Sequence, residues 1–430
     1  MANSVQLQTF LNSVCSQVKW KRVHAEISKE LKNHIEDQAN EYLSLGLSYD
    51  EAQNKAIKTM GDPVEVGKGF NDIYYPQKDT TLIALICGII LSGIGVQFGI
   101  MINNGSSPES FVRFLLAIPL GITALVTFWL IDYTAFCKYS TPIYVVLLTA
   151  SILFTIFPKF VNGSNIYIYY FSILLPPVFS GVAFNQRLNG YKGLLLCCAF
   201  YLAFAFVFIY ANVFSAFILF SVSGFFILLT AILKNWFQVN KPYAIALIAF
   251  PIILICMIAY GNYARYLSVT PEISALWSDL SFFGQSEQTA ISFQEVNPFT
   301  IMKWHTQFVI LFIFAKGGIL LGSALIVFIC LVVYKMFKSA LNMKSSVGYI
   351  LSISISASIA FQVFFYSLAN LGIEGLAATL PVISFGGISY IINMALMGLM
   401  LSTMRYDSIV NIEVESNDNP IVLKSQHTSN

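Results

Sequence analysis

Beyond Thr81 the chain is a succession of apolar stretches, each about as long as a membrane is thick, separated by short polar turns. A helix needs about twenty apolar residues to cross the hydrocarbon. Stretches of this kind lie near 81–102, 110–132, 142–158, 166–184, 190–210, 213–233, 243–261, 306–334, 347–369 and 380–404. The division at 211–213 is soft, so nine spans is the alternative to ten. Lipid offers no partner to a free N–H or C=O, so each stretch is expected to be a helix. The predicted fold class is all-α: a polytopic membrane protein with about ten transmembrane helices, preceded by a small cytoplasmic helical domain.

The charges divide the same way. Residues 1–80 hold 9 of the 24 Lys and Arg and 11 of the 22 Asp and Glu, whereas residues 81–404 hold 13 and 7. The whole chain is 57% hydrophobic and 11% charged, far from the roughly 25% charged of soluble domains. The expected domains are a prefix at 1–77, a membrane domain at 78–406 and a disordered cytoplasmic tail at 407–430. No basic run points to nucleic acid. The first apolar stretch follows a charged segment and is expected to be a retained anchor. With the N-terminus inside, alternate turns collect Lys138, Arg187, Lys192, Lys234, Lys241, Lys335, Lys338, Lys344 and Arg405. That bias predicts both termini in the cytoplasm of a multi-pass plasma-membrane protein, with the long loop 262–305 outside. No cysteine pair has metal-site spacing, so the thiols are read as packing residues and neither metal nor cofactor is expected.

In the prefix, Ile27, Leu31, Ile35 and Ala39 recur every four residues, one face of a helix from Val23 to Leu45. Gly46 ends it, and Ser48 with Glu51 forms a capping-box pattern for the next helix. Gly61 stops that helix, and Asp62-Pro63 starts another. This string resembles the prefix domains fused to some bacterial permeases and membrane sensors.

Two motifs stand where apolar stretches begin. Trp304-His305-Thr306-Gln307-Phe308 closes the long loop, and Leu380-Pro381-Val382-Ile383-Ser384-Phe385-Gly386-Gly387-Ile388-Ser389 opens the last stretch. Over about residues 80–405, most of all in the final hundred, the chain resembles the SEDS family of bacterial cell-wall proteins (FtsW, RodA, SpoVE). The resemblance implies a role in peptidoglycan synthesis, cell shape or cell division. It also implies a lipid-linked peptidoglycan precursor (lipid II) as ligand and a transpeptidase or other membrane protein as partner. In that family the first motif reads His-Thr-Asp-Phe and its Asp is held to be essential for polymerisation. Here the position is Gln307, and an amide accepts no proton near neutral pH. The family's Glu-Glu-Leu-Gly becomes Ala315-Lys316-Gly317-Gly318. Its Gln-Pro-Ser-Glu and Gln-Pro-Asp-Leu-Gly motifs have only Leu174-Leu175-Pro176-Pro177 and Tyr210-Ala211-Asn212-Val213-Phe214 as counterparts.

The candidate precursor-binding residues are His305, Thr306, Gln307, Lys316 and Arg265. Pro381, Ser384, Gly386, Gly387 and Ser389 are read as backbone architecture. A lone interfacial histidine such as His305 is more often structural, and Arg265 also fits an ordinary interfacial anchor. Lys316 is expected about three helical turns into its span, about 16 Å from His305, where a charge costs about 2.5–3.5 kcal/mol; it either faces a cavity or snorkels. The leading reading is a family member that binds precursor or partner without standard polymerase activity. The first alternative is an active glycosyltransferase that uses another base, from Glu272, Asp279, Glu287, Glu295 and Glu374. The second is a lipid or small-molecule transporter, against which stands the absence of an internal repeat.

Overall fold

The computed structural model describes residues 2–74, 79–103, 106–161, 164–263, 277, 280–282, 306–373 and 379–418. The chain forms two compact units, Met1–Gln77 with Arg405–Asn430, and Lys78–Met404.

The first unit contains α1 (Ala2–Gln17), α2 (His24–Ser44), α3 (Tyr49–Thr59) and α4 (Pro63–Tyr74). Ile27, Leu31, Ile35 and Ala39 are all buried, as their spacing requires. Each of the three larger side chains contributes on the order of 1.5–3 kcal/mol. The capping box forms in both directions: the Glu51 N–H donates to Ser48 Oγ at 3.4 Å and the Ser48 N–H to Glu51 Oε2 at 3.3 Å. Gly46 and Gly61 close α2 and α3 with φ of +90° and +86°. Helix α1, which the cap signals do not announce, buries Leu7, Phe10, Leu11 and Val14.

The second unit is a helical membrane bundle. Its elements are α5 (Thr80–Ile102), α6 (Pro108–Leu130), a short α7 (Tyr133–Lys138), α8 (Ser140–Ile156), α9 (Ile166–Asn185), α10 (Gly190–Tyr210), α11 (Phe214–Leu233), α12 (Lys241–Tyr263), α13 (Val309–Leu341), α14 (Ser346–Asn370) and α15 (Gly387–Asp418). Among the described residues, eight helices are long and apolar enough to cross a membrane. Two further apolar helices, Ser140–Ile156 and Lys241–Leu254, are shorter. All ten expected stretches are therefore helical; α8 has 17 residues and α12 has 23. The soft division is a true turn, with Asn212 at φ 57° between α10 and α11. Helix α15 runs to Asp418, and residues 419–430 of the expected tail lie outside the described residues.

Helices α9, α11 and α14 form the interior, and α15 is largely buried over its apolar part. Glycines allow the closest crossings. A methyl group on Gly398 of α15 would collide with the Leu125 carbonyl oxygen of α6. Helix α14 buries a polar line at four-residue spacing. Ser354 donates to Ser180 Oγ at 3.1 Å, and Ser358 to the Ile173 carbonyl at 3.3 Å. Gln362 exchanges two 3.2 Å amide bonds with Asn393 of α15. Tyr366 and Asn370 continue the line. Buried Cys137 in α7 has its thiol pushed up to about 12 by burial and by the nearby Asp132 charge, which fits an inert packing residue.

Candidate functional site

Tyr366 and Asn370, at the end of α14, hold the first motif by its backbone. The Tyr366 hydroxyl donates to the Thr306 carbonyl at 3.1 Å and accepts the Val309 N–H at 2.8 Å. The Asn370 amide donates to the Gln307 carbonyl at 2.9 Å, and its oxygen accepts the Leu311 N–H at 3.1 Å. These side chains satisfy N–H groups that the first turn of any helix leaves open. The main chain of Thr306 and Gln307 is thereby fixed at the mouth of α13, while their side chains remain half-buried.

Helix α13 is broken. Gly318 has φ 77° and ψ 174°, so Val309–Gly317 is a separate buried half-helix. The remainder to Leu341 is about 34 Å long at 1.5 Å per residue, enough to cross the membrane alone. This corrects the expected place of Lys316. It does not lie three turns into a continuous span; it lies half-buried at the break, two residues before Gly318. The cause is the Gly317-Gly318 pair, since Gly318 adopts a backbone that other residues rarely reach.

The long loop enters this break. The Ile319 and Leu320 N–H groups donate to the carbonyls of Ser281 and Phe282 at 3.0 and 3.3 Å. Trp277 donates from Nε1 to the Asn370 carbonyl at 2.8 Å, and its ring lies 5.0 Å from that of Phe314. Asn370 thus ties the loop, the half-helix and the Gln307 turn together.

The second motif is built beside α5 and α9. Val382 has φ 67°, an uncommon conformation for a β-branched residue. Gln97 of α5 donates to the neighbouring Ile383 carbonyl at 2.9 Å. Gly93 lies so close that a methyl group there would stand 2.8 Å from the Val382 carbonyl oxygen. Tyr169 of α9 accepts the Thr379 N–H at 2.9 Å. Ser384 and Ser389 return their hydroxyls to the Leu380 and Gly386 carbonyls at 3.0 and 2.8 Å. Pro381 lies in the turn before α15, and Gly386 and Gly387 stand where that helix starts.

The structure therefore places Lys316 on the half-helix and Thr306 and Gln307 in the turn that leads into it. His305 and Arg265 lie outside the described residues, as do Glu272, Asp279, Glu287, Glu295 and Glu374. Sequence reasoning missed Tyr366, Asn370, Gln362, Asn393, Trp277 and Gln97. Four-residue spacing of polar residues on α14 was the available signal for the first three of α14; contacts such as Trp277 to Asn370 left none. The described site offers amides, hydroxyls and one ammonium, a set able to hold a polar or anionic headgroup. Among the described residues no cluster of His, Cys, Asp or Glu could hold a metal ion.

Comparison with known proteins gives this arrangement a context. The family model described as "Cell cycle protein", FtsW/RodA/SpoVE, matches residues 281–409, which include both motifs. No curated protein matches the chain in sequence. The Thermus thermophilus rod shape determining protein RodA is similar in structure, with a TM-score of 0.55 at 16% identity over 77% of this chain and 97% of that one. A point mutant of it gives 0.56 at 15% identity, over 77% and 98%. A chain from a peptidoglycan synthase complex, described for its coordination of polymerization and crosslinking, gives 0.59 at 17% identity, also over 77% and 98%. These likenesses establish a RodA-like polytopic fold. Both motifs lie inside the region that matches the FtsW/RodA/SpoVE family model, and over the wider membrane unit the likeness to the solved structures is one of fold.

Proposed function

We propose that this protein binds a lipid-linked peptidoglycan precursor, or a membrane partner in wall synthesis, without standard polymerase activity. The observation that supports this reading is Gln307 at the family's Asp position, on a backbone held by Asn370 and Tyr366. A general base must accept the proton of the attacking hydroxyl, and a primary amide does not. Gln307, Thr306 and His305 would hydrogen-bond the sugar and diphosphate, and Lys316 and Arg265 would meet the diphosphate charge. Lys316 at a helix break, half-buried and without an ion pair among the described residues, fits an anionic headgroup. The likeness to a chain of a peptidoglycan synthase complex supports a transpeptidase-class partner.

The test is a polymerisation assay of the purified protein with lipid-linked precursor, with and without Gln307→Asp, beside a precursor-binding measurement. Binding without glycan strands is expected of both proteins, because Ala315 and Lys316 also stand where the family has acids. Strands from the wild-type protein would overturn the reading and direct attention to the acids of the long loop.

A further inference from the structure

Two turns at the end of the membrane unit opposite the Gln307 motif are locked to one another. Residues 186–189 join α9 to α10, and residues 234–240 join α11 to α12. The Leu188 N–H donates to the Trp236 carbonyl at 2.9 Å, and the Trp236 ring stands edge-on to Phe184 at 5.3 Å. Leu188, Asn235 and Gln238 hold φ of 67°, 61° and 50°. Such backbone persists where surrounding contacts fix it, so these turns have a defined shape.

Four cations decorate that shape: Arg187 and Lys234 in the turns, Lys192 and Lys241 at the starts of the following helices. The Arg187 guanidinium lies 3.8 Å over the Phe184 ring, and the Lys234 ammonium 4.6 Å over that of Tyr349. Lys241 donates to the Leu233 carbonyl at 3.1 Å. Rings and carbonyls position a cation without cancelling its charge. Among the described residues Lys192, Lys234 and Lys241 form no ion pair. Beside them, α10 and α12 expose Leu195, Leu196 and Tyr243.

We propose that this paired-turn surface is a headgroup site for an anionic phospholipid of the adjoining leaflet. Fixed cations at a helical rim, a half-buried Trp and bare apolar helix faces match the two parts of such a lipid, phosphate and chains. A free phosphate would use the cations alone, and an acidic protein segment would leave the apolar faces uncovered.

The test uses the purified full-length protein in phosphatidylcholine nanodiscs with graded phosphatidylglycerol. The phosphatidylglycerol is brominated near its glycerol, and quenching of Trp236 is read by difference against Trp236→Phe. Brominated phosphatidylglycerol should quench Trp236 more than brominated phosphatidylcholine does. Half-saturation should rise about fivefold for each charge removed in Arg187→Gln, Lys234→Gln and Lys241→Gln. Equal quenching by the two lipids, or unchanged half-saturation in the triple variant, overturns the proposal. So does displacement of the brominated lipid by inorganic phosphate or by a soluble acidic peptide, which would mark an ion or protein site. If the triple variant loses its helical spectrum, Lys234→Gln alone decides, with Lys234→Arg expected to keep wild-type half-saturation.

Discussion

Asn370 donates its side-chain amide to the Gln307 carbonyl at 2.9 Å while its own carbonyl accepts the indole N–H of Trp277 at 2.8 Å. A single buried residue at the end of α14 thus positions both the motif residue and the described part of the long loop. Asn370→Leu would strand the Leu311 N–H and the Gln307 carbonyl in a dry site. Each buried orphan costs about 1–3 kcal/mol. The thermal midpoint in detergent should fall by several degrees, and protease should cut the 262–305 loop faster. An unchanged midpoint and cleavage rate would show that the side-chain bonds to Gln307 and Leu311 do not hold the motif.

The break in α13 depends on Gly318 at φ 77°. A side chain in left-handed backbone costs about 1–2 kcal/mol, and Gly318 is buried as well. Gly318→Ala is expected to destabilise the protein by at least that amount or to straighten the helix and carry Lys316 inward. Reactivity of Lys316 toward an amine-specific reagent separates the two outcomes. Wild-type stability with wild-type reactivity would show that the glycine is not required.

Asp79 caps α5, accepting the Leu82 N–H at 3.0 Å, and pairs with Lys335 at 2.7 Å and Ser339 at 3.0 Å. Burial alone would raise its pKa. The hydrogen bonds from Lys335, Leu82 and Ser339, with the Lys335 charge, outweigh this and hold the carboxyl below its ordinary value. A depressed folded pKa gives stability that is present above the unfolded value, about 3.9, and is lost as pH falls through the folded value. Asp79→Asn should cost about 1–2 kcal/mol at neutral pH. Its midpoint should converge on that of the wild type in acid, and a difference that persists there would argue against a charge-based role.

Helix α2 and the ten apolar stretches were legible because their signals are local. Ile27, Leu31 and Ile35 announce a buried face by spacing alone, and Ser48 with Glu51 announces a cap. The span lengths were legible too: α8 keeps the 17 residues its apolar stretch suggested, and α12 runs through the stretch expected for it. At the site, the motif at 304–308 was visible but its support was not. The bond from Gln97 to Ile383 joins residues 286 positions apart, and that from Trp277 to Asn370 joins residues 93 apart. Periodicity carries no information over such distances. The Gly317-Gly318 pair was in view, yet unbroken hydrophobicity on both sides read as one helix.

The Lys and Arg bias predicts the N-terminus and the end of α15 in the cytoplasm and 262–305 outside. Cysteine-accessibility labelling at position 285, in a background lacking exposed native thiols, checks this. Labelling by an impermeant reagent from outside is expected; labelling from the cytoplasmic side alone would invert the topology and remove Gln307 and Lys316 from the wall side.

Lys316 tests the proposed headgroup contact most directly. Lys316 is half-buried at the helix break, two residues before Gly318, and not within a continuous span. A charge-assisted bond to a diphosphate is worth about 1.5–3 kcal/mol, so Lys316→Leu should weaken precursor binding about tenfold or more. Lys316→Arg should retain most of it, since the charge is kept. Insertion into lipid should improve in the Leu variant, because a charge is removed from the apolar region. A lysine that only snorkels to the interface would show that gain in insertion with no loss of binding. Unchanged affinity in Lys316→Leu, measured with folded protein, would therefore separate Lys316 from the ligand and leave Gln307 and the backbone around it as the remaining contact surface.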